Sequence, residues 1–444
     1  MKYNAEVYGE YAKNIDGKEN EHVESAAGMV DYIRHSTAKY HGIYVRSCYM
    51  PKIFTKEEFE YLSGEIDTLY GIFGKIMRRY SEDAEYRKLF GFDERLEQLI
   101  LQSDFNNYVL PIARIDIFYN DETGEYKFCE FNTDGSSAMN EDRELNNALR
   151  ETKAFKEFAK THEVSTCELF ESWAVEFEAL YKSISGKDEK PIAAITDFME
   201  CATSNEFEIF RQAFEKHGID ARICDIRELK YRDGKLYAPD GKAVDALYRR
   251  AVTSDIMKHF DEVQDVIEAA KDKRVVLIGD FFTQICHNKV LYKIMHLPET
   301  LSMLTRKEQL YVYHHVPYTM MLSKDNIADV IRAKDKWILK PEDSYGSKGV
   351  YAGVEYSQEE WEEKVKGVKI GEYILQEFCM PYTSENYEYS ADGLNRLTFY
   401  NLTGMYVYNG KLTGMYSRVS KSPIISTQYS EMAIPTIISV SSEK

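Results

Sequence analysis

Residues 128–137 read FCEFNTDGSS: Phe128, Cys129, Glu130, Phe131, Asn132, Thr133, Asp134, Gly135, Ser136 and Ser137. Glu130, Asn132 and Asp134 fall at every second position, and residues two apart in a strand share a face. Upstream, residues 113–119 read ARIDIFY. This run alternates too, with Arg114 and Asp116 on one face and Ile115, Ile117 and Tyr119 on the other. The intervening DETGE, residues 121–125, suits a three-residue hairpin loop with Gly124 in the left-handed position. A hairpin centred on Thr123 sets Asp116 opposite Glu130 and Arg114 opposite Asn132, with the two phenylalanines on the buried side.

That register has a chemical consequence. Directly opposed Cβ atoms lie roughly 4.5–5.5 Å apart, and two carboxylates so placed repel one another. A divalent cation between them reverses the sign of the interaction. Asp, Glu and Asn oxygens are hard ligands suited to Mg²⁺, which takes one or two carboxylates and completes its shell with phosphate and water. Arg114 beside them suits a phosphate. The plainer reading is a wet sheet surface carrying an Arg–Asp pair. Four polar groups in register favour a metal–phosphate site.

The totals narrow the field. A chain of 444 residues is too long for one simple core. With 44% hydrophobic and 29% charged residues it has a globular composition. No window approaches about 18 uncharged apolar residues, so no transmembrane helix is expected, and the N-terminus lacks a signal-peptide layout. The seven cysteines are scattered, with no C-x-x-C pair. Neither a zinc site nor a disulfide framework follows, and a reducing cytoplasm is the expected compartment. The net charge of −18 opposes nucleic acid and anionic membranes and modestly favours cationic partners such as amines.

Residues 55–77 carry Phe59, Leu62, Ile66, Leu69, Phe73 and Ile76 at helical steps, with Thr55 and Glu58 as a capping box. Helical spacing returns over 142–183. After a loop at 185–191 the pattern switches. Short apolar runs at 192–196, 221–225, 231–237, 243–248 and 274–278, with a helix from 204 to 217, predict a small α/β unit with a partly parallel sheet. No G-x-G-x-x-G supports a dinucleotide there. Beyond 283 the chain reads as β-rich, with strands at 337–340, 350–353, 373–376 and 397–402. Residues 405–408 and 412–417 flank Asn409–Gly410, a strong hairpin signal. Four regions are expected: a helical 1–108, a metal-binding hairpin with helices at 109–187, a Rossmann-like unit at 188–282, and a nucleotide-binding region at 283–444.

A second constellation lies in residues 337–353, WILKPEDSYGSKGVYAG. Strand, Gly-rich loop and strand follow one another, and the first strand ends on Lys340. The spacing is not that of a Walker A loop. Even so, the backbone N–H groups of Gly346, Ser347, Lys348 and Gly349 can cover phosphates, and Lys340 supplies a point charge. Read alone, this is an ordinary hairpin with a long tip. The strand ending on Gln376 and Glu377 could line an adenine slot, although a plain buried strand is the simpler reading. Lys289, opening a helix, is by default a surface lysine.

Taken together, these pieces resemble the synthetase domain of the glutathionylspermidine synthase family. That family carries R-x-D, E-[YF]-N-x-D, N-K, K-P with a Gly-rich loop, Q-E, and a late arginine. Here these read Arg114 and Asp116; Glu130 to Asp134; Asn288-Lys289; Lys340-Pro341 through Gly349; Gln376-Glu377; and Arg418. The resemblance spans roughly residues 110–425. It implies an α+β, circularly permuted ATP-grasp fold, because the metal carboxylates precede the lysines, with a Rossmann-like pre-ATP-grasp unit and a helical N-terminal region.

By that resemblance Asp116, Glu130 and Asn132 hold Mg²⁺, and Arg114 touches phosphate. Lys289, Lys340 and the Gly-rich loop bind ATP phosphates, and Gln376 and Glu377 flank the adenine. Arg418 sits over an acyl phosphate, and Asp134 and Ser137 face substrate. The loop GSKG departs from the family's Arg-Glu-Gly form, and Gly135 stands where a hydroxyl is common. Nothing N-terminal resembles the amidase Cys–His site of bifunctional members. The implied activity is ATP- and Mg²⁺-dependent, ADP-forming amide synthesis from a carboxylate, which could be a peptide, and an amine. A nucleotide-binding regulatory paralogue and an ATP-grasp phosphotransferase are the alternatives.

Overall fold

The computed structural model describes residues 4–40, 42–343, 348–426 and 431–440. Helix α1 (Lys56–Glu82) starts at the expected capping box: Thr55 accepts from the Glu58 amide, and the Glu58 side chain accepts from Thr55 N. Its stripe of Leu62, Ile66, Leu69, Phe73 and Ile76 is fully buried. The N-terminal region is mostly helical, as expected, with further helices at Asn4–Ala12, Glu19–His35 and Glu94–Gln102, and Lys52–Thr55 adds a strand parallel to Thr436–Val440. That pairing ties the two ends of the chain together.

Strands β1 (Ile112–Tyr119) and β2 (Tyr126–Asn132) form the hairpin, and Gly124 has φ +73°. Asp116 faces Glu130 and Arg114 faces Asn132, in the expected register. The route to that register differs from a hairpin centred on Thr123. Near the tip, Tyr119 pairs with Tyr126 and Ile117 with Phe128, and a β-bulge at Cys129 then adds the missing residue. The bulge also resolves a conflict in the sequence. Strict alternation would put Phe128 on the face of Glu130. With one extra residue, Phe128 joins Phe131 on the buried side, their ring centroids 5.0 Å apart. Phe131 packs edge-on against Phe73 of α1 and stacks on Tyr292 at 4.6 Å. Helix α2 (Met139–Arg150) follows.

The central unit comprises β3 (Ile192–Asp197), α3 (Ser204–Lys216), β4 (Asp220–Asp225), β5 (Ala246–Arg249) and β6 (Val276–Ile278). Its four strands are all parallel, in the order β6-β5-β3-β4. The runs near 231–237 and 243 leave this sheet and make a separate three-stranded antiparallel one. Asp233 and Gly234, both at positive φ, form its first turn.

Strands β7 (Thr319–Met321), β8 (Trp337–Pro341), β9 (Tyr351–Ala352) and β10 (Tyr373–Glu377) build an antiparallel sheet ordered β7-β10-β8-β9. Its own small core includes Leu339, Leu375 and the fully buried Trp361. The chain then returns through β11 (Thr383–Ser390), β12 (Gly393–Tyr408), β13 (Lys411–Ser420) and β14 (Met432–Ile434). The expected strands at 397–402 and 405–408 are one continuous 16-residue strand. The Asn409–Gly410 turn has φ +46° and +81°, the signature of a type I′ hairpin. Strand β12 pairs with β1, giving a six-stranded sheet ordered β14-β13-β12-β1-β2, with β11 on β12. No helix among the described residues is long and apolar enough to cross a membrane, and all seven cysteines are unpaired.

Candidate functional site

The polar face of the β1–β2 hairpin opens towards β12, β13, the segment before Val290–Met295, and β8. Asp116, 1% exposed, is its centre. Arg114 grips it with two parallel bonds, Nε to Oδ1 at 2.8 Å and Nη2 to Oδ2 at 3.1 Å. Arg418 Nη2 reaches Asp116 Oδ2 at 2.6 Å from β13, and Asn132 Nδ2 approaches the same oxygen at 3.2 Å. Arg418 also lies 3.8 Å from Glu431, and its Nε is buried with no partner among the described residues. One strand, β12, separates Arg418 on β13 from Asp116 on β1. Gly404 of β12 lies beside this cluster: it pairs with Asp116 on one side and Tyr416 on the other. A Cβ at Gly404 would stand 2.7 Å from Asp116 Oδ1 and 2.8 Å from Arg114 Cδ. Nothing in the sequence singles out Gly404, whose only local sign is a glycine inside a long apolar strand.

Glu130 is held by Lys289, Nζ to Oε1 at 2.8 Å. Burial alone would raise the Glu130 pKa, but Lys289, Lys340 and His287 outweigh it and bring the value down to about 2. Lys289 is therefore no surface residue: it is 6% exposed, and its amide donates to Glu342 O. Lys340, 9% exposed, donates to Gln376 Oε1 at 2.7 Å and to the carbonyl of the bulge residue Cys129 at 3.3 Å. Gln376 is buried and committed to Lys340 and Thr319, whereas the neighbouring Glu377 is exposed. Lys348 is exposed. Gly349, at φ +73°, packs so closely on Tyr373 and Pro341 that a Cβ would lie 2.8 Å from the tyrosine oxygen. Gly346 and Ser347 lie outside the described residues.

Asp134 and Ser137 occupy different surroundings. Asp134 is 4% exposed, and one oxygen takes Arg249 Nη2 at 2.6 Å while the other takes the Thr253 amide at 2.6 Å. Burial would raise its pKa, but Arg249 and His287 hold it below the usual carboxylate range. This carboxylate thus anchors the end of the hairpin to the parallel sheet, since Arg249 ends β5. Gly135, at φ +69°, abuts the Arg250 carbonyl, where a Cβ would approach to 2.7 Å. A hydroxyl-bearing side chain has no room there. Ser137 offers its carbonyl to Arg114 Nη1 at 3.1 Å and to the Tyr406 hydroxyl at 2.8 Å. Arg249 and Tyr406 carried no sequence signal, because each acts across the interface between distant segments.

The donor set of Asp116, Glu130 and Asn132 fits a hard divalent ion: two facing carboxylates and an amide oxygen, with Gly404 leaving backbone-width space beside them. Four cations, Arg114, Arg418, Lys289 and Lys340, surround these groups and Glu431. Such an excess suits a polyanion bearing phosphates.

A solved structure of a glutathione synthetase-like effector from Globodera pallida, in its apo form, superposes with a TM-score of 0.61 at 12% identity, covering 95% of this chain and 98% of that one. That likeness concerns the fold. A putative gamma-glutamylcysteine synthetase from Methylobacillus flagellatus KT reaches only 0.42 at 11% identity over 84% and 85% of the two chains. No curated protein sequence matches. The family described as glutathionylspermidine synthase preATP-grasp matches residues 18–438, a span holding every site residue above. The chain belongs to the glutathionylspermidine synthase family, with its circularly permuted ATP-grasp fold.

Proposed function

We propose that the protein is an ATP-dependent carboxylate–amine ligase that releases ADP and phosphate and forms an amide through an acyl phosphate. The observation that carries this reading is Arg418. It reaches across β12 to the Asp116 carboxylate and keeps a buried, unpartnered Nε beside it among the described residues. Nucleotide binding alone does not call for such a cation at the metal face. A group that develops negative charge during acyl transfer does.

Asp116, Glu130 and Asn132 would hold Mg²⁺, which would supply charge neutralisation for the nucleotide phosphates. The side chains do the rest by position. Lys289 and Lys340 exchange Glu130 and Gln376 for phosphate oxygens. The substrate carboxylate attacks the terminal phosphorus, and the bond to the ADP oxygen breaks. Arg114 and Arg418 bracket the resulting acyl phosphate. The amine nitrogen then attacks the acyl carbon, the carbon–oxygen bond to phosphate breaks, and phosphate leaves with that electron pair. The nitrogen loses its proton to give the amide. Positioning of the reactants and electrostatic stabilisation together supply the rate.

The test is ADP release with and without a carboxylate–amine pair, scored across amino acids, peptides and polyamines. Arg418→Ala is expected to lose roughly 10²–10³ in turnover while still binding nucleotide. Near-normal turnover would remove Arg418 from the chemistry. A stable phosphorylated product with no amide would replace the ligase by a phosphotransferase.

A further inference from the structure

A polar cavity of about 140 Å³ lies where the start of α2 meets the start of α3, with walls that include Lys39, Asn140, Glu141, Thr203, Asn205 and Glu206. The two glutamates differ. Glu206 is fully engaged: Oε2 accepts from the Met139 and Asn140 amides at 2.8 and 3.2 Å, and Oε1 takes Arg250 Nη2 at 2.8 Å. Glu141 is 6% exposed, yet among the described residues its carboxyl has no ion-pair partner and no bond to another side chain. Its hydrogen bond is to its own backbone amide. A carboxyl so deeply buried ordinarily has a cation or a set of donors. Here its open side is the cavity.

We propose that this cavity is a binding site for a primary ammonium group, with Glu141 as its counter-charge. An –NH₃⁺ brings three donors and no acceptor. That matches a wall that holds Thr203, Asn205 and a carboxyl without an ion-pair partner among the described residues. The position suits a substrate. Glu141 lies within electrostatic reach of Arg114, Tyr406 and Tyr416, and Arg114 in turn grips Asp116. The inference rests on the ligase reading only in making the bound ammonium that of a substrate. It has two sources: the amine that becomes the amide, or the free amino group of an amino acid or peptide supplying the carboxylate.

The groups that face Glu141 set the pH dependence. Burial, and then Glu206, push its pKa up to about 8, against Arg114 and Arg250. Asp142 follows it on α2, Tyr406 and Tyr416 face it from the sheet, and Lys39 is part of the cavity wall. An amine therefore meets a largely protonated carboxyl near neutrality, and affinity rises with pH up to about 8, by roughly tenfold per unit at most.

The experiment is calorimetry of the full chain with n-propylamine and, separately, glycine, without nucleotide, and with Mg·ATP titrated into the same samples. Propylamine is expected to bind the wild type with affinity rising from about pH 6 to about pH 8. Glu141→Gln is expected to bind at least about tenfold more weakly with no such rise. Ala202→Trp, which adds bulk to a residue lining the cavity and keeps Glu141, guards against a folding failure of the first variant and is expected to lose binding too. Glycine bound more tightly than propylamine assigns the site to a substrate's amino terminus, and the reverse order assigns it to the acceptor amine. Equal binding by wild type and both variants, or no binding of either probe to folded wild type, overturns the proposal. Amine binding without Mg·ATP binding would instead sink the ligase reading and leave the cavity assignment standing.

Discussion

Gly404→Ala is the sharpest test of how the site is assembled. The added Cβ would lie 2.7 Å from Asp116 Oδ1 and 2.8 and 2.9 Å from Arg114 Cδ and Cγ. Ordinary van der Waals contact starts near 3.4 Å, so these groups must retreat by about 0.5–0.7 Å, and overpacking of that kind costs about 1–3 kcal/mol. Little room exists for the retreat. Arg114 is tied to Ser137 O, and Asp116 is held by Arg114, Arg418 and Asn132. The strain therefore falls on the carboxylate proposed to meet the metal. Expected outcomes are a loss of about 1–3 kcal/mol in denaturant unfolding and a drop of about tenfold or more in Mg·ATP affinity by calorimetry, tenfold being about 1.4 kcal/mol. Gly64→Ala is the control. Gly64 lies on α1, and a methyl group added there would meet nothing within 4 Å, so alanine should stabilise by about 0.5–1 kcal/mol. If Gly404→Ala unfolds and binds like wild type, then Arg114 and Asp116 do not lie over that glycine, and β1, β12 and β13 do not converge in this way.

Three further outcomes are expected. Glu130→Ala should weaken Mg·ATP binding at least about tenfold, and unchanged affinity in calorimetry would remove Glu130 from the metal face. Arg249 and Asp134 are 0% and 1% exposed at the side chain and 2.6 Å apart. Arg249→Ala should therefore cost about 3–5 kcal/mol, since it strands a buried charge, and a loss under about 1 kcal/mol in urea unfolding would contradict the anchoring role. Glu141 has a folded-state pKa raised to about 8 from 4.5. Its contribution to stability is present below the unfolded value and is lost as pH rises through the folded one. Glu141→Gln should gain stability relative to wild type between about pH 5 and about pH 8, and a difference that does not change with pH refutes the shift.

The local part of this architecture was legible in the chain. Alternation in 113–119 and 128–134, the DETGE loop and the Asn409–Gly410 turn fixed both hairpins, because period two and turn chemistry act over a few residues. The register of Asp116 with Glu130 was legible too, although the tip and the bulge at Cys129 reached it by compensating steps. A bulge leaves no reliable mark in a short run. Its effect, placing Phe128 and Phe131 together, is decided by packing against Phe73 and Tyr292. The change of period at 192 announced the α/β unit. The separation of the 230–244 hairpins from its parallel sheet did not show, since strand runs do not name their partners.

What the sequence determined by itself was which groups share the hairpin face. Only the tertiary structure decided how they are held. Arg418 meets Asp116 across 302 residues of sequence, Lys289 meets Glu130, and Arg249 takes Asp134 into a buried pair. The physical reason is range. Backbone sterics and alternation write the strand and its two faces into a few consecutive residues. The charge partners arrive only when β12 closes on β1, and a single missing Cβ at Gly404 leaves the room that Asp116 and Arg114 occupy.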